Sequence, residues 1–314
     1  MLFRVVRPMR RDGSRFPLFV QRIPADVRRK AVGFELAIPL GDGFVFVTPS
    51  EGAQAIVRFK DYRVQSGVSP KTVKDSDLAG MKTVFGWAVV NRRLPSNPAE
   101  GITIKVGKSR KLRSKGFYDS EAIAILKHAR EFVPGREASK LGAAKRWVPW
   151  LCAFTGARGG EMIQIRKEDI RREGKLLVLH VTPEAGPVKT DEARDVVLHR
   201  QIIDEGFFEF FEKSEGGYLF IDPKASELGV RNAVKTARNK VNAFVREVVK
   251  DKNVDPSHGW RHRFKTVGID HGVETRVLDA IQGHAPRNVS EGYGDVTVKA
   301  KANAMAKFPF IEVI

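Results

Sequence analysis

The last fifth of the chain carries, in order, Ser257-His258-Gly259-Trp260-Arg261-His262, then Gly283-His284, then Gly292-Tyr293-Gly294. His258, His284, Arg261 and Tyr293 are the groups needed to hold a phosphodiester and attack it with a phenol. Such an attack places charge on the phosphate oxygens, and arginine suits that charge because it is planar, bidentate and always ionised. The phenol must lose a proton and the leaving oxygen must gain one. A phosphotyrosine ester stores the bond energy, so the backbone can be rejoined without ATP. Tyr293 is one of only four tyrosines, and two glycines flank it. That setting suits a moving segment better than a packed one. These motifs supply one arginine, and the rest of the chain must add the two further cations that the chemistry needs.

The bulk properties fit a polyanionic partner. The 314 residues carry a net charge of +18, with a pI near 10.1. Nucleic acid is the first expectation and an anionic membrane the second. The apolar fraction of 42% allows a sizeable core, and the length suits two domains. Cys152 is the only cysteine, which excludes an internal disulfide and a cysteine-based metal cluster. No His/Asp/Glu grouping has metal-ligand spacing. The basic start of the chain lacks the continuous apolar region of a signal peptide. No apolar run approaches the roughly 18 residues of a membrane span. A cytoplasmic, nucleoid-associated location is expected.

The elements that must position the chemistry are mostly helical. Residues 1–50 suggest short strands and turns, with Phe16–Arg22 and Phe34–Val47 as the strand-like parts. Residues 51–104 read as a helical, DNA-facing module. Glu51–Tyr62 is one helix, and Ser69-Pro70-Lys71-Thr72 starts a second that runs to about Arg93. Its apolar face carries Met81, Val84, Phe85 and Val89, with Trp87 and Ala88 beside it. From 51 to 115 there are 14 Lys+Arg against 5 Asp+Glu. A basic linker, 105–116, follows. Its Lys105, Lys108, Arg110, Lys111, Arg113 and Lys115 can cross a phosphate backbone.

The third part, 117–314, has a denser apolar pattern. Asp119 or Ser120 starts a helix with Ala122, Ile123, Ile125 and Leu126. A second, about Ala143–Thr155, offers Trp147, Trp150, Leu151 and Phe154 to the core. Leu176–Val181, Gly186–Lys189 and Asp195–His199 read as three strands of a small antiparallel sheet. From Leu228 to Lys250 a long helix has an apolar stripe of Val230, Val234, Ala237, Val241, Phe244 and Val248. A second stripe carries Arg231, Lys235 and Arg238, which are candidate DNA contacts. His128, His180, His199 and His271 have no chemical context.

Thr155-Gly156-Ala157-Arg158-Gly159-Gly160-Glu161 follows an apolar helix, and Lys189-Thr190 starts a turn with Arg194 after it. His258-Gly259-Trp260-Arg261-His262, Gly283-His284 and Tyr293 complete a series. This order and spacing resemble the tyrosine recombinase (phage integrase) family over roughly 118–300. Residues 69–104, with Asn97-Pro98-Ala99, are similar to that family's core-binding domain. Trp260 stands where leucine is more usual, at a packing position.

The resemblance implies a mainly α catalytic domain with a small antiparallel sheet. It implies that Arg158 and Arg261 clamp the scissile phosphate and that Lys189 protonates the leaving 5′ oxygen. His258 would receive or position the Tyr293 proton, and His284 would hydrogen-bond a phosphate oxygen. Glu161 would orient an arginine or histidine. Tyr293 would form a 3′-phosphotyrosyl link. No metal, nucleotide or organic cofactor is expected. The implied partners are double-stranded DNA, further copies of the chain in a tetramer on DNA, and accessory directionality or DNA-bending factors. The tail, Val298–Ile314, is expected to pack on a neighbouring subunit, with folding back onto its own domain as the alternative. A type IB topoisomerase-like enzyme and a DNA-binding relative without catalysis are the rival readings.

Overall fold

The computed structural model describes the backbone of four short strands before residue 50, and residues 52–107, 112–136, 138–188, 191–285 and 293–313. The chain forms two compact units, Met1–Arg110 and Lys111–Ile314. Among the described residues no helix is long and apolar enough to cross a membrane.

In the first unit, β1 (Phe3–Arg4) pairs antiparallel with β2 (Gln21–Arg22), and β3 (Leu36–Leu40) with β4 (Gly43–Val47). Of the expected strand at Phe16–Arg22, all but the last two residues lie outside the described part. Helix α1 (Gly52–Gln65) follows. Ser69 caps the next helix by accepting the Thr72 N–H at 3.0 Å, and Pro70 fills its first turn. This helix runs as α2 (Pro70–Thr72), a π-helical stretch at Val73–Leu78, and α3 (Ala79–Val90). Ile56, Phe59, Val73, Leu78 and Phe85 form its core. Asn97 ties the Asn97-Pro98-Ala99 turn to α3 through the Lys82 carbonyl at 3.0 Å. Trp87 stays exposed rather than joining the apolar face.

The second unit is built on α4 (Asp119–Arg130), α5 (Ser139–Thr155) and α9 (Glu227–Val248). Trp147, Trp150, Leu151 and Phe154 of α5 are all buried, and Val234, Ala237, Val241 and Phe244 of α9 pack into the same core. Val248 is exposed, and at the end of α9 the buried positions are Val245 and Val249 instead. Helices α6 (Gly159–Ile163), α7 (Arg200–Asp204), α8 (Phe207–Lys213), α10 (Gly259–Asp270), α11 (Thr275–Gln282) and α12 (Val298–Met305) complete the unit.

The sheet differs from the sequence expectation. Its strands are β5 (Ile170–Glu173), β6 (Leu176–Val181) and β7 (Arg194–Val197), antiparallel with β6 in the centre. Leu179 stands opposite both Ile170 and Val196. Residues 186–188 form no strand: Gly186 has φ of 150° and Pro187 cannot donate to a ladder. The edge strand Ile170-Arg171-Arg172-Glu173 buries only Ile170, so it carries no apolar alternation to read.

Two further expectations are corrected. Arg113, within the basic run, does not behave as part of a solvated linker. Arg113 donates to Glu121 at 2.6 Å and to Asp251 at 2.9 Å, with its side chain 5% exposed. It therefore anchors the start of this unit and is not a free cation for DNA. The C-terminal tail, in turn, folds onto its own domain. Phe308 stacks on Phe264 with ring centroids 4.5 Å apart. His199 Nε2 donates to the Phe308 carbonyl at 3.1 Å, and the Gln201 side chain donates to the Ile311 carbonyl and accepts its N–H. An apolar stripe announces that a segment will be covered but not which surface covers it. Replacing Phe308 with Ala should destabilise the folded chain by about 3 kcal/mol, read in thermal or urea unfolding. A loss below about 0.5 kcal/mol would mean that the tail is not held in cis in solution.

Candidate active site

The site is assembled where α5 and α11 end. Helix α5 terminates at Gly156, in the left-handed region at φ 57°, and its N–H closes on the Cys152 carbonyl. A Cβ at this glycine would lie 2.5 Å from Gln282 Nε2 and 2.7 Å from Phe264. Buried Thr155 accepts the Ala157 N–H at 3.2 Å and holds the turn that leads into Arg158. Arg158 is the N-cap residue of α6. Its backbone N–H and its guanidinium both donate to Glu161, the latter at 2.6 Å.

Glu161 is the buried hinge of the cationic group. Its other oxygen accepts from Arg194 Nη2 at 2.5 Å. Burial pushes its carboxyl towards the neutral form, but Arg194 and Arg158 outweigh burial and hold it below its ordinary value. Arg194 also donates from Nε to the Ile281 carbonyl at the end of α11. It packs within 2.7 Å of where a Cβ on Gly283 would stand. Gly283, at φ 69°, is the left-handed cap of α11.

Arg261, from the first turn of α10, enters the same space. Its Nη1 donates to the Gly156 carbonyl at 3.0 Å and to the Gln282 carbonyl at 2.7 Å. Its Nη2 is buried and has no partner among the described residues. Burial, and then the like charge of Arg158, lower the Arg261 pKa to about 10. The group is thus charged at neutral pH, poorly solvated, and left with a donor to spare. Fully buried Gln282 returns the clasp by donating to the Arg261 carbonyl at 2.7 Å. Trp260 points the other way and packs edge-on against Phe117 at 5.0 Å, as expected of a packing position.

The structure gathers Arg158, Glu161 and Arg261, and joins them to His284 through the end of α11. His284 Nδ1 lies 2.7 Å from Asp279 Oδ1. Burial, then Arg261, lower the His284 pKa. His258 caps α10, with Nδ1 3.1 Å from Asp255 and its side chain exposed. Tyr293 is 75% exposed. Its backbone carbonyl accepts from Arg276 of α11 at 2.6 Å. Lys189, Lys108, Arg110 and Lys111 lie outside the described residues. Lys105, Lys115, Lys235 and Arg238 are exposed, whereas half-buried Arg231 pairs with Glu227 at 2.8 Å. Arg238 lines a crevice with Gly159, Asn242 and Ser257, which brings the basic stripe of α9 beside the Arg158 turn and the His258 loop.

Three site residues were missed in the sequence. Arg194 was noted only as following Lys189, and Gln282 and Asp279 not at all. A signal existed for Asp279: five residues before His284, across a helix end with glycine at the cap, it is within reach of that ring. Arg194 and Gln282 are recognised only once the chain is folded, because their partners Glu161 and Arg261 lie 33 and 21 residues away.

Residues 116–299, more than half of the chain, match the phage integrase family model. Tyrosine recombinase XerA of Pyrococcus horikoshii is 26% identical over 162 residues, which cover 51% of this chain and 53% of that protein. The chain thus spans about half the length of that relative. Tyrosine recombinase XerC of Mycobacterium tuberculosis is 24% identical over 221 residues, covering 70% of this chain and 71% of the relative. Among solved structures, the XerH site-specific recombinase bound to its difH substrate shares the fold, with a TM-score of 0.51 and 19% identity. That likeness covers 80% of this chain and 69% of XerH. The chain belongs to the phage integrase family of tyrosine recombinases.

Proposed function

We propose that the chain is a site-specific recombinase that cleaves and rejoins DNA strands through Tyr293. The observation that carries this reading is the preformed cationic pocket. Arg158 and Arg194 share the single carboxylate of Glu161, while Arg261 is held only by backbone carbonyls and has a buried N–H without a partner among the described residues. A phosphodiester supplies the missing charge and the missing acceptor.

In the proposed reaction Arg158 and Arg261 hold the non-bridging oxygens of the scissile phosphate. The Tyr293 hydroxyl loses its proton to His258 and its oxygen attacks phosphorus. The bond from phosphorus to the 5′ oxygen breaks, and Lys189 protonates that oxygen as it leaves. The strand's 3′ end stays on Tyr293 as a phosphodiester, so the bond energy is kept and neither metal nor ATP is needed. Rejoining runs the same steps in reverse, with the 5′ hydroxyl of a second strand as nucleophile. Exchange between two DNA sites calls for four copies of the chain on DNA, with accessory factors setting direction. A cytoplasmic, nucleoid-associated location follows from that partner. Residues 51–104 act as the DNA-binding module, with Lys105, Lys115, Lys235 and Arg238 at phosphates.

Covalent capture on nicked DNA from the flanking genomic region tests the nucleophile. The parent chain should form an adduct that survives denaturation, and Tyr293→Phe should form none. An adduct of undiminished yield in Tyr293→Phe would sink the reading. Arg158→Lys tests the clamp, because lysine keeps the charge and loses the fork. Cleavage should fall about 100-fold while DNA affinity changes little. Equal losses in both would make Arg158 a binding residue only.

A further inference from the structure

Asp279 and His284 lie five residues apart across the C-terminus of α11. The Asp279 carbonyl accepts the N–H groups of both Gly283 and His284, the second at 2.9 Å. The Asp279 carboxylate, through the same oxygen Oδ1, accepts from the His284 ring at 2.7 Å and from Lys265 of α10. His284 is thereby held by one residue at both its backbone and its ring. The side chains of Asp279 and Lys265 are largely covered, and the ring is partly open to solvent.

The pairing dictates where the ring protons sit. An ionised carboxylate can only accept, so Nδ1 carries a hydrogen and Nε2 faces away from Asp279. In the neutral ring Nε2 is then an acceptor. It donates to a phosphate oxygen only when the ring holds both protons. Asp279 favours the second proton, while Arg261 and Lys265 oppose it. Arg194, packed on Gly283, adds another positive charge nearby.

We propose that Asp279 is a positioning residue that turns His284 Nε2 towards the scissile phosphate and favours the ring's donating, doubly protonated form against the cations around it. Lys265 sets how much of the Asp279 charge reaches the ring. This rests on the reading of His284 as a phosphate ligand. It assigns to Asp279 and Lys265 opposite effects on one titration, which a purely structural role does not produce.

Single-turnover adduct formation by the full chain on nicked duplex, followed across the histidine titration range, reads both effects. The rate should fall as pH rises and the ring loses its Nε2 proton. Asp279→Asn keeps an acceptor oxygen but removes the charge, and should move that fall to lower pH by about one unit. Lys265→Gln should move it the other way. The other groups of the site are the same in every variant, so the difference between variants is what counts. Superimposed profiles, or shifts in the same direction, would overturn the inference. Should Asp279→Asn fail to fold, Lys265→Gln decides alone, and the lack of an upward shift rejects the proposal. His284→Ala separates the two levels. Cleavage at the parental rate and pH profile there would reject His284 as a phosphate ligand. Slowed cleavage there, beside unshifted Asp279→Asn and Lys265→Gln profiles, would leave that reading standing and remove this one. Long-range proton–nitrogen spectra of the full chain give an independent check: neutral His284 should carry its hydrogen on Nδ1, and an Nε2–H tautomer contradicts the proposal.

Discussion

Three guanidinium groups packed around one buried carboxylate is the constraint on which the second unit depends. Charges removed from water cost several kcal/mol each unless they are paired and hydrogen-bonded. Glu161 pairs two of the three arginines, Arg158 and Arg194. The remaining bonds come from backbone carbonyls: Gly156 and Gln282 for Arg261, and Ile281 for Arg194. All three carbonyls lie at C-terminal ends of helices, where acceptors lack intrahelical partners and the helix dipole is negative. The fold thus stabilises cations with partial charges instead of further acids. Full pairing with carboxylates would cancel the positive potential. The observed arrangement keeps it, aimed at a place where an anion can sit.

That solution demands close backbone approach at two points. Gly156 and Gly283 end the two helices in the left-handed region, and at each a Cβ would meet a functional neighbour. At Gly156 the neighbours are Gln282 and Phe264, and at Gly283 the guanidinium of Arg194. The glycines serve conformation and space at once. Gly259 follows the same logic on the other side of α10, where a Cβ would strike the ring of Phe117 at 2.5 Å. The motif glycines therefore hold the distances between the arginines.

Much of the site was legible because its chemistry restricts residue type. A phosphate clamp needs arginines, and a phenolic attack needs a tyrosine with histidines near it. The helices α4, α5 and α9 were legible from their apolar stripes. What was hidden has physical reasons. The edge strand Ile170–Glu173 buries one side chain in four, so its sequence reads as charged loop. Arg113 sits in a basic run that looks solvated, and only the folded position of Asp251, 138 residues away, shows that it is a tether. The tail's apolar residues were visible, yet their partners on α10 and at His199 and Gln201 carry no local mark.

The two halves of the proposed reaction are held with unequal strength. Displacing Arg158 would strip buried Glu161 of one of its ion pairs, and displacing Arg261 would break its bonds to the buried Gly156 and Gln282 carbonyls; each is costly in a buried setting. Tyr293 is exposed, and Arg276 binds its segment through two backbone carbonyls, those of Tyr293 and Gly294. These hydrogen bonds lie at exposed groups, where water competes with them. Any rearrangement between binding DNA and attacking it therefore falls on the tyrosine segment, while the arginines remain where the helix ends fix them. In the proposed reaction the phosphate clamp is therefore in place before the nucleophile is.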